Sequence, residues 1–241
     1  MKKLNLLSIL SLLFVVFTAC DDEKHNIIGE GEKIEVEHPI DNIEGVSVGY
    51  DMKVFIQQSE LTSLKIVGQS NIIDNLDLVI SGDNILKFKY DKNVSKSDGL
   101  EIYITSPMIK ELSASGASKI FMVNPFDIDE LAVAASGDAH ISAESLLANE
   151  VEVSLSGESK FDVEVGIASE LTISMSGDSE VDTEDMEVKD VTAQQSGSSV
   201  SRVFATETLT ASLSGSSIVY YKGEPKIEES TTGSSAVKKI K

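Results

Sequence analysis

Residues 131–143 read LAVAASGDAHISA, residues 151–163 read VEVSLSGESKFDV, and residues 171–183 read LTISMSGDSEVDT. Each segment turns on a Ser-Gly pair. The pair stands at Ser115-Gly116, Ser136-Gly137, Ser156-Gly157, Ser176-Gly177, Ser196-Gly197 and Ser214-Gly215, with Thr232-Gly233 as a variant. The glycines are 21, 20, 20, 20, 18 and 18 residues apart. A period near 20 residues marks a solenoid, in which each repeat stacks on the one before.

Six, four and two residues before the glycine come Leu131, Val133, Ala135, then Val151, Val153, Leu155, then Leu171, Ile173, Met175, then Leu209, Ala211, Leu213. Small or polar residues alternate with them, so each stretch reads as a half-buried strand. Four residues after the glycine come Ile120, Ile141, Phe161, Val181, Val219 and Val237, which predict a second strand. Phe126, Ile128, Leu146, Ile167, Met186 and Phe204 mark a looser third side. Glycine reaches positive φ freely, as a sharp bend requires. Ser118, Ala139, Ser159, Ser179, Ser199, Ser217 and Ser235, two residues on, are all small enough to stack. Their hydroxyls are expected to bond up the stack. No inter-glycine segment carries 10–12 residues at helical period. The expected fold is all-β, a single-stranded parallel β-helix or β-solenoid with coils of about 20 residues. A right-handed winding is expected, although the repeat itself does not fix the hand. Seven glycine-marked rungs would span roughly 30–35 Å.

Gly82 fits the same register, with Leu76, Leu78 and Ile80 before it and Leu86 and Phe88 after it. The 34-residue gap to Gly116 points to an inserted loop, KNVSKSDG at 92–99. Residues 33–105 therefore read as irregular first coils or a β cap, and 106–241 as the regular repeats of one domain, 33–241. A separate small β domain is the alternative. The last rung places Glu229 between Ile227 and Thr231 at an inward position, so it is expected to fray or fold over as a cap. Gln195 is a second inward polar residue, without an explanation in the sequence.

Residues 1–19 read as a targeting segment: Lys2 and Lys3, then an apolar run from Leu4 to Phe17 that is too short for a stable span. The end, Phe17-Thr18-Ala19-Cys20, resembles a bacterial lipobox, with Cys20, the one cysteine, as the lipidated residue. Asp21, Asp22 and Glu23 resemble the surface-export signal of Bacteroidetes lipoproteins. Residues 20–32 read as a flexible acidic tether. The chain carries 40 acidic and 20 basic residues; without Lys2 and Lys3 the charge is near −22. Such a surface repels phosphate backbones, so nucleic acid is excluded as a partner. Tryptophan is absent and aromatics are 5%, which suits a thin aliphatic core and not an aromatic-rich carbohydrate cleft.

Glu130, Glu150, Glu170 and Asp190 each stand seven residues before a glycine, so stacking predicts a column of carboxylates. Ca²⁺ is one group that would offset their repulsion, and hydrated, splayed side chains are another answer. No metal or other cofactor is otherwise expected. His25, His38 and His140 share no metal-ligand spacing. The Ser-Gly serines recur on every coil, which reads as scaffold and not as a unique nucleophile.

The lipobox-like end, the stretch Val46-Ser47-Val48-Gly49-Tyr50-Asp51-Met52-Lys53-Val54 and the Ser-Gly-x-Ser rungs resemble the putative auto-transporter adhesin, head GIN domain family. The literal Gly-Ile-Asn string is missing. The resemblance implies a β-helical fold and an adhesive or surface role in a Bacteroidetes envelope. It supplies no catalytic residues. The expected function is a non-enzymatic outer-membrane lipoprotein, surface-exposed, held by its lipid and binding a glycan, matrix or envelope protein. Contact would use a flat strand face or the 92–99 loop. The alternatives are a periplasm-facing assembly or stress-related binding partner and a polysaccharide-acting enzyme. Oligomeric state is not legible.

Overall fold

The computed structural model describes residues 26–240. The segment 1–19, Cys20, Asp21, Asp22, Glu23 and His25 lie outside the described residues. The chain is nearly all β, 67% strand and 2% helix, in a solenoid of about six turns.

Parallel ladders run the length of the stack. On the leading face, before each glycine, Leu131, Val151, Leu171, Val191, Leu209 and Ile227 lie in one register. On the trailing face, after it, Ile120, Ile141, Phe161, Val181, Ser201, Val219 and Val237 do the same. The third face carries Phe126, Leu146, Gly166 and Met186. Ile167, expected inward there, is 58% exposed. Gly166 takes the inward place, where an added Cβ would lie 2.5 Å from the Leu146 oxygen. Ladder hydrogen bonds and apolar stacking repeat in every coil, so each coil is stabilised mainly by its neighbours.

The corner glycines from Gly116 to Gly233 have φ between 67° and 82°. Each also rests on the corner below. A Cβ on Gly177 would lie 2.7 Å from the Gly157 oxygen, and one on Gly197 would lie 2.5 Å from the Gly177 oxygen. The lowest corner carries Tyr50 at φ 65°, against which Gly116 packs. Beneath Tyr50 the chain forms the inserted loop instead of another corner, so a side chain fits, and its ring packs at 4.9 Å from Tyr90. The corner serines work chiefly within their own bend. Ser159, Ser179, Ser199 and Ser217 each donate to the carbonyl three residues back at 2.9 Å. Longer contacts of 3.2–3.3 Å reach the coil below from Ser159, Ser179 and Ser199.

Gly82 is not a coil corner. Leu76–Ile80 and Ile85–Tyr90 pair antiparallel, and Gly82 lies in their hairpin, where Asn84 takes the positive φ of 58°. Alternation places residues on one face whether the next strand runs parallel or antiparallel, so the pattern alone could not separate the two. The chain also stacks out of sequence order. Gly45–Val48 lies between Ile85–Tyr90 and Glu111–Ala114, and Lys53–Gln58 lies between Glu101–Ser106 and Lys119–Met122. The strands Ser63–Gln69 and Lys33–His38 continue the trailing face antiparallel and close that end. The helical turn Ser70–Ile73 buries Ile72 and Ile73. One apolar core runs from Ile43 to Val219.

Part of the expected tether is held to the body. Ile27–Ile28 pairs with Val94–Lys96, and the Gly29 amide donates to the Lys96 oxygen at 2.7 Å. The last rung neither frays nor folds over. Lys226–Thr231 stays in register on Thr208–Leu213, and Ala236–Lys239 on Ile218–Tyr221. Glu229 lies over Ala211 at the open end of the core. An inward charge on an edge strand discourages pairing with another chain.

Gln195 is 4% exposed, and its Nε2 donates to the buried Ser201 Oγ at 2.6 Å, while Oε1 has no partner. Ser201→Ala is therefore expected to cost about 1–3 kcal/mol, because it strands a buried amide. Gln195→Leu combined with Ser201→Ala should recover that loss, as read from urea denaturation midpoints. Equal losses in the single and the double variant would contradict this.

Candidate binding face

The carboxylate column forms as the spacing predicts: Glu130, Glu150, Glu170 and Asp190 are successive register partners. It ends at Lys110, whose Nζ is 3.9 Å from Glu130 and 3.3 Å from Glu44, and at Thr208, whose hydroxyl is 2.6 Å from Asp190. Among the described residues, no three His, Cys, Asp or Glu side chains converge as metal ligands. A groove beside the column is lined by Glu44, Asp83, Lys110, Glu130 and Glu150. The Asn84 amide bonded to Glu44, followed by Lys110, holds the Glu44 carboxyl below its usual range. The ion pair is thus strongest above the ordinary carboxylate pKa and is lost as pH falls through the lowered value. Further along the same face Ser154, Ser174, Gln194 and Ser212 lie in register as a flat polar strip.

The 92–99 loop is tied down at several points. The Asp98 amide donates to Gln69 Oε1 at 3.1 Å, and the Asn75 amide holds the Lys92 oxygen at 2.8 Å. His140 Nε2 lies 2.5 Å from Asp162 Oδ1, and Lys160 lies 3.6 Å from the same oxygen.

The outer side of the trailing face holds an arrangement that composition hid. Its outward residues form rows along the stack, because each strand is in register with the next. One row runs Glu37, Lys65, Tyr103, Phe55, Phe121, Ser142 and Asp162. The rings of Tyr103 and Phe55 are 5.0 Å apart with planes 15° apart, and those of Phe55 and Phe121 are 5.2 Å apart at 19°. Lys65 Nζ stands 4.9 Å from the Tyr103 ring at one end, and His140 meets Phe121 edge-on at 6.3 Å at the other. All three rings are half-buried. The Tyr103 hydroxyl donates to Glu101 at 3.0 Å; this bond pulls the Glu101 carboxyl down and pushes the Tyr103 phenol up.

The neighbouring row runs Glu101, Lys53, Lys119, His140 and Lys160. Lys53 and Lys119 are exposed register partners, and neither enters an ion pair among the described residues. A chain of net charge −20 thus carries, beside an aromatic stripe, a strip where cations outnumber their partners. An aromatic surface was not expected from 5% aromatics. The legible signal was positional: Phe121 follows the inward Ile120 by one residue, and Phe55 falls between the inward Val54 and Ile56, so alternation turns both outward.

The family model of the putative auto-transporter adhesin, head GIN domain, matches residues 42–225. Among solved structures, a putative adhesin from Bacteroides fragilis NCTC 9343 superposes with TM-score 0.83 at 24% identity, over 89% of this chain and 100% of that one. A putative adhesin from Parabacteroides merdae ATCC 43184 gives 0.75 at 21%, over 90% and 99%. A putative lipid binding protein from Parabacteroides distasonis ATCC 8503 gives 0.73 at 19%, over 90% and 100%. At these identities the likeness is one of fold. No curated protein matches the chain.

Proposed function

We propose that this chain, which belongs to the putative auto-transporter adhesin, head GIN domain family, is a non-enzymatic envelope lipoprotein whose solenoid presents a rigid lateral surface for contact. The observation that carries this reading is the trailing face. It is an uninterrupted register of strands from Lys33–His38 at the cap to Ala236–Lys239 at the open end, with its outward side chains in straight rows. A hydrogen-bonded stack holds such rows rigidly, so contact costs little ordering of the backbone. Ile27–Ile28 pairs with the loop strand Val94–Lys96 beside the cap, so a lipid on Cys20 would bring the capped end towards the membrane.

The reading that it faces outward from the outer membrane rests on Asp21, Asp22 and Glu23. Protease applied to intact cells should degrade the protein. Neutralising these three residues should protect it while leaving it in the membrane fraction. Full protection before mutation would contradict surface exposure and favour the periplasm-facing arrangement.

A further inference from the structure

Tyr103, Phe55 and Phe121 form a continuous stripe, with ring centres 5.0 and 5.2 Å apart and planes nearly parallel. All three rings are half-buried, so each offers part of its apolar surface outward. The row repeats at the strand spacing, about 4.8 Å, which is close to the rise of one sugar unit in an extended polysaccharide. Lys53 and Lys119 form a parallel row two residues along the strand, about 6.6 Å to the side. They stand directly opposite each other, where like charges repel, and an anion between them would relieve that repulsion. On the other flank Gln57 and the bonded hydroxyls of Ser63 and Thr105, 2.8 Å apart, line a shallow groove with the two lower rings.

Backbone pairing is not on offer to a ligand here. Lys53–Gln58 and Glu101–Ser106 are each paired on both edges. An extended peptide could not add as a strand, and whatever binds must lie across the strands on the side-chain rows.

Deepening the contact reading above, on which it rests, we infer that an acidic polysaccharide lies along this stripe. The apolar faces of successive sugars rest on Tyr103, Phe55 and Phe121. Their carboxylates face Lys53 and Lys119, and their hydroxyls meet Gln57, Ser63 and Thr105. Glu37 and Asp162 bound the row at its two ends, and the acidic surface beyond them repels the same polymer, which confines it to the rings and lysines between.

The test is retardation of the purified chain in gels containing polygalacturonate, dextran or polyglutamate, with wild type and variants matched by circular dichroism and thermal unfolding. Polygalacturonate should retard the wild type, and the effect should fall as salt rises. Lys53→Gln with Lys119→Gln, and separately Phe55→Ala with Phe121→Ala, should each weaken binding about tenfold or more. Phe55→Tyr should retain it. Neutral dextran and polyglutamate should bind far more weakly. No retardation by polygalacturonate, or equal retardation by polyglutamate, overturns the inference. A parallel arm presents neutral glycans and matrix proteins to the immobilised chain. Binding there without polygalacturonate binding overturns this inference alone, whereas silence in both arms overturns the contact reading as well.

Discussion

Gly197→Ala is expected to lower the stability of the folded chain by about 2–5 kcal/mol, with contributions of about 1–2 from the dihedral and about 1–3 from overlap. Gly197 sits at φ 82°, which an L side chain resists. Its missing Cβ would also lie 2.5 Å from the Gly177 oxygen, which is held in a ladder and cannot swing aside. The Gly177 oxygen also accepts the Ser198 amide at 2.8 Å and the Ser199 hydroxyl at 3.2 Å, so any retreat breaks the bond between coils. Gly99 separates the two causes. Its φ is 76°, yet nothing lies within 4 Å of an added Cβ, so Gly99→Ala should cost only about 1–2 kcal/mol. Urea midpoints of the two variants give the comparison. Equal losses would mean that close stacking of corners contributes nothing, and the coil-on-coil account of these glycines would fail.

Phe161→Ala should cost about 3–5 kcal/mol, the range for deleting a buried aromatic side chain without full collapse of the cavity. Phe161 is 0% exposed and stands between Ile141 and Val181 on the inner side of the trailing face. Neighbouring inward positions carry smaller residues, Ile120, Ile141, Val181 and Val219, so nothing in that column is long enough to fill the space. Phe121→Ala, on the outer side of the same face, should cost about 1 kcal/mol, mainly the lost stacking on Phe55. The two phenylalanines are one residue apart in repeat register, four past one glycine and five past another. Thermal unfolding of both variants tests whether that parity decides their roles. A Phe121 variant as damaged as the Phe161 variant would make the aromatic stripe a structural element and weaken the case for it as a binding surface.

The regular coils were readable because a solenoid converts sequence spacing directly into height. Once the Ser-Gly pairs define a rung, Leu131 must lie over Val151, and Glu130 beside Glu150. The same reasoning misplaced Gly82, since alternation records which side of a strand a residue takes and says nothing of strand direction. It also misread Glu229 as a residue that would drive its strand off the stack. The strand remains because its backbone bonds to Thr208–Leu213 persist whatever the side chain at the open end carries. Ile167 failed for a smaller reason: the third side bends, and a shift of one place there moves Gly166 inward.

The candidate binding face was legible in parts only. Phe121 and Lys119 are visible as outward residues of a regular rung. Phe55 and Lys53 belong to a coil that the chain lays down early, and Tyr103 comes from a coil placed beneath that one although it follows in sequence.

Residue order by itself determined the coil, its rise, the bend glycines and the carboxylate column, because these depend on near-neighbour periodicity that repeats from rung to rung. Tertiary structure alone decided the out-of-order first coils, the antiparallel cap and the meeting of Tyr103, Phe55 and Phe121. Those depend on which backbone edge pairs with which across tens of residues, and satisfying every strand edge is a condition on the whole stack that no local pattern records.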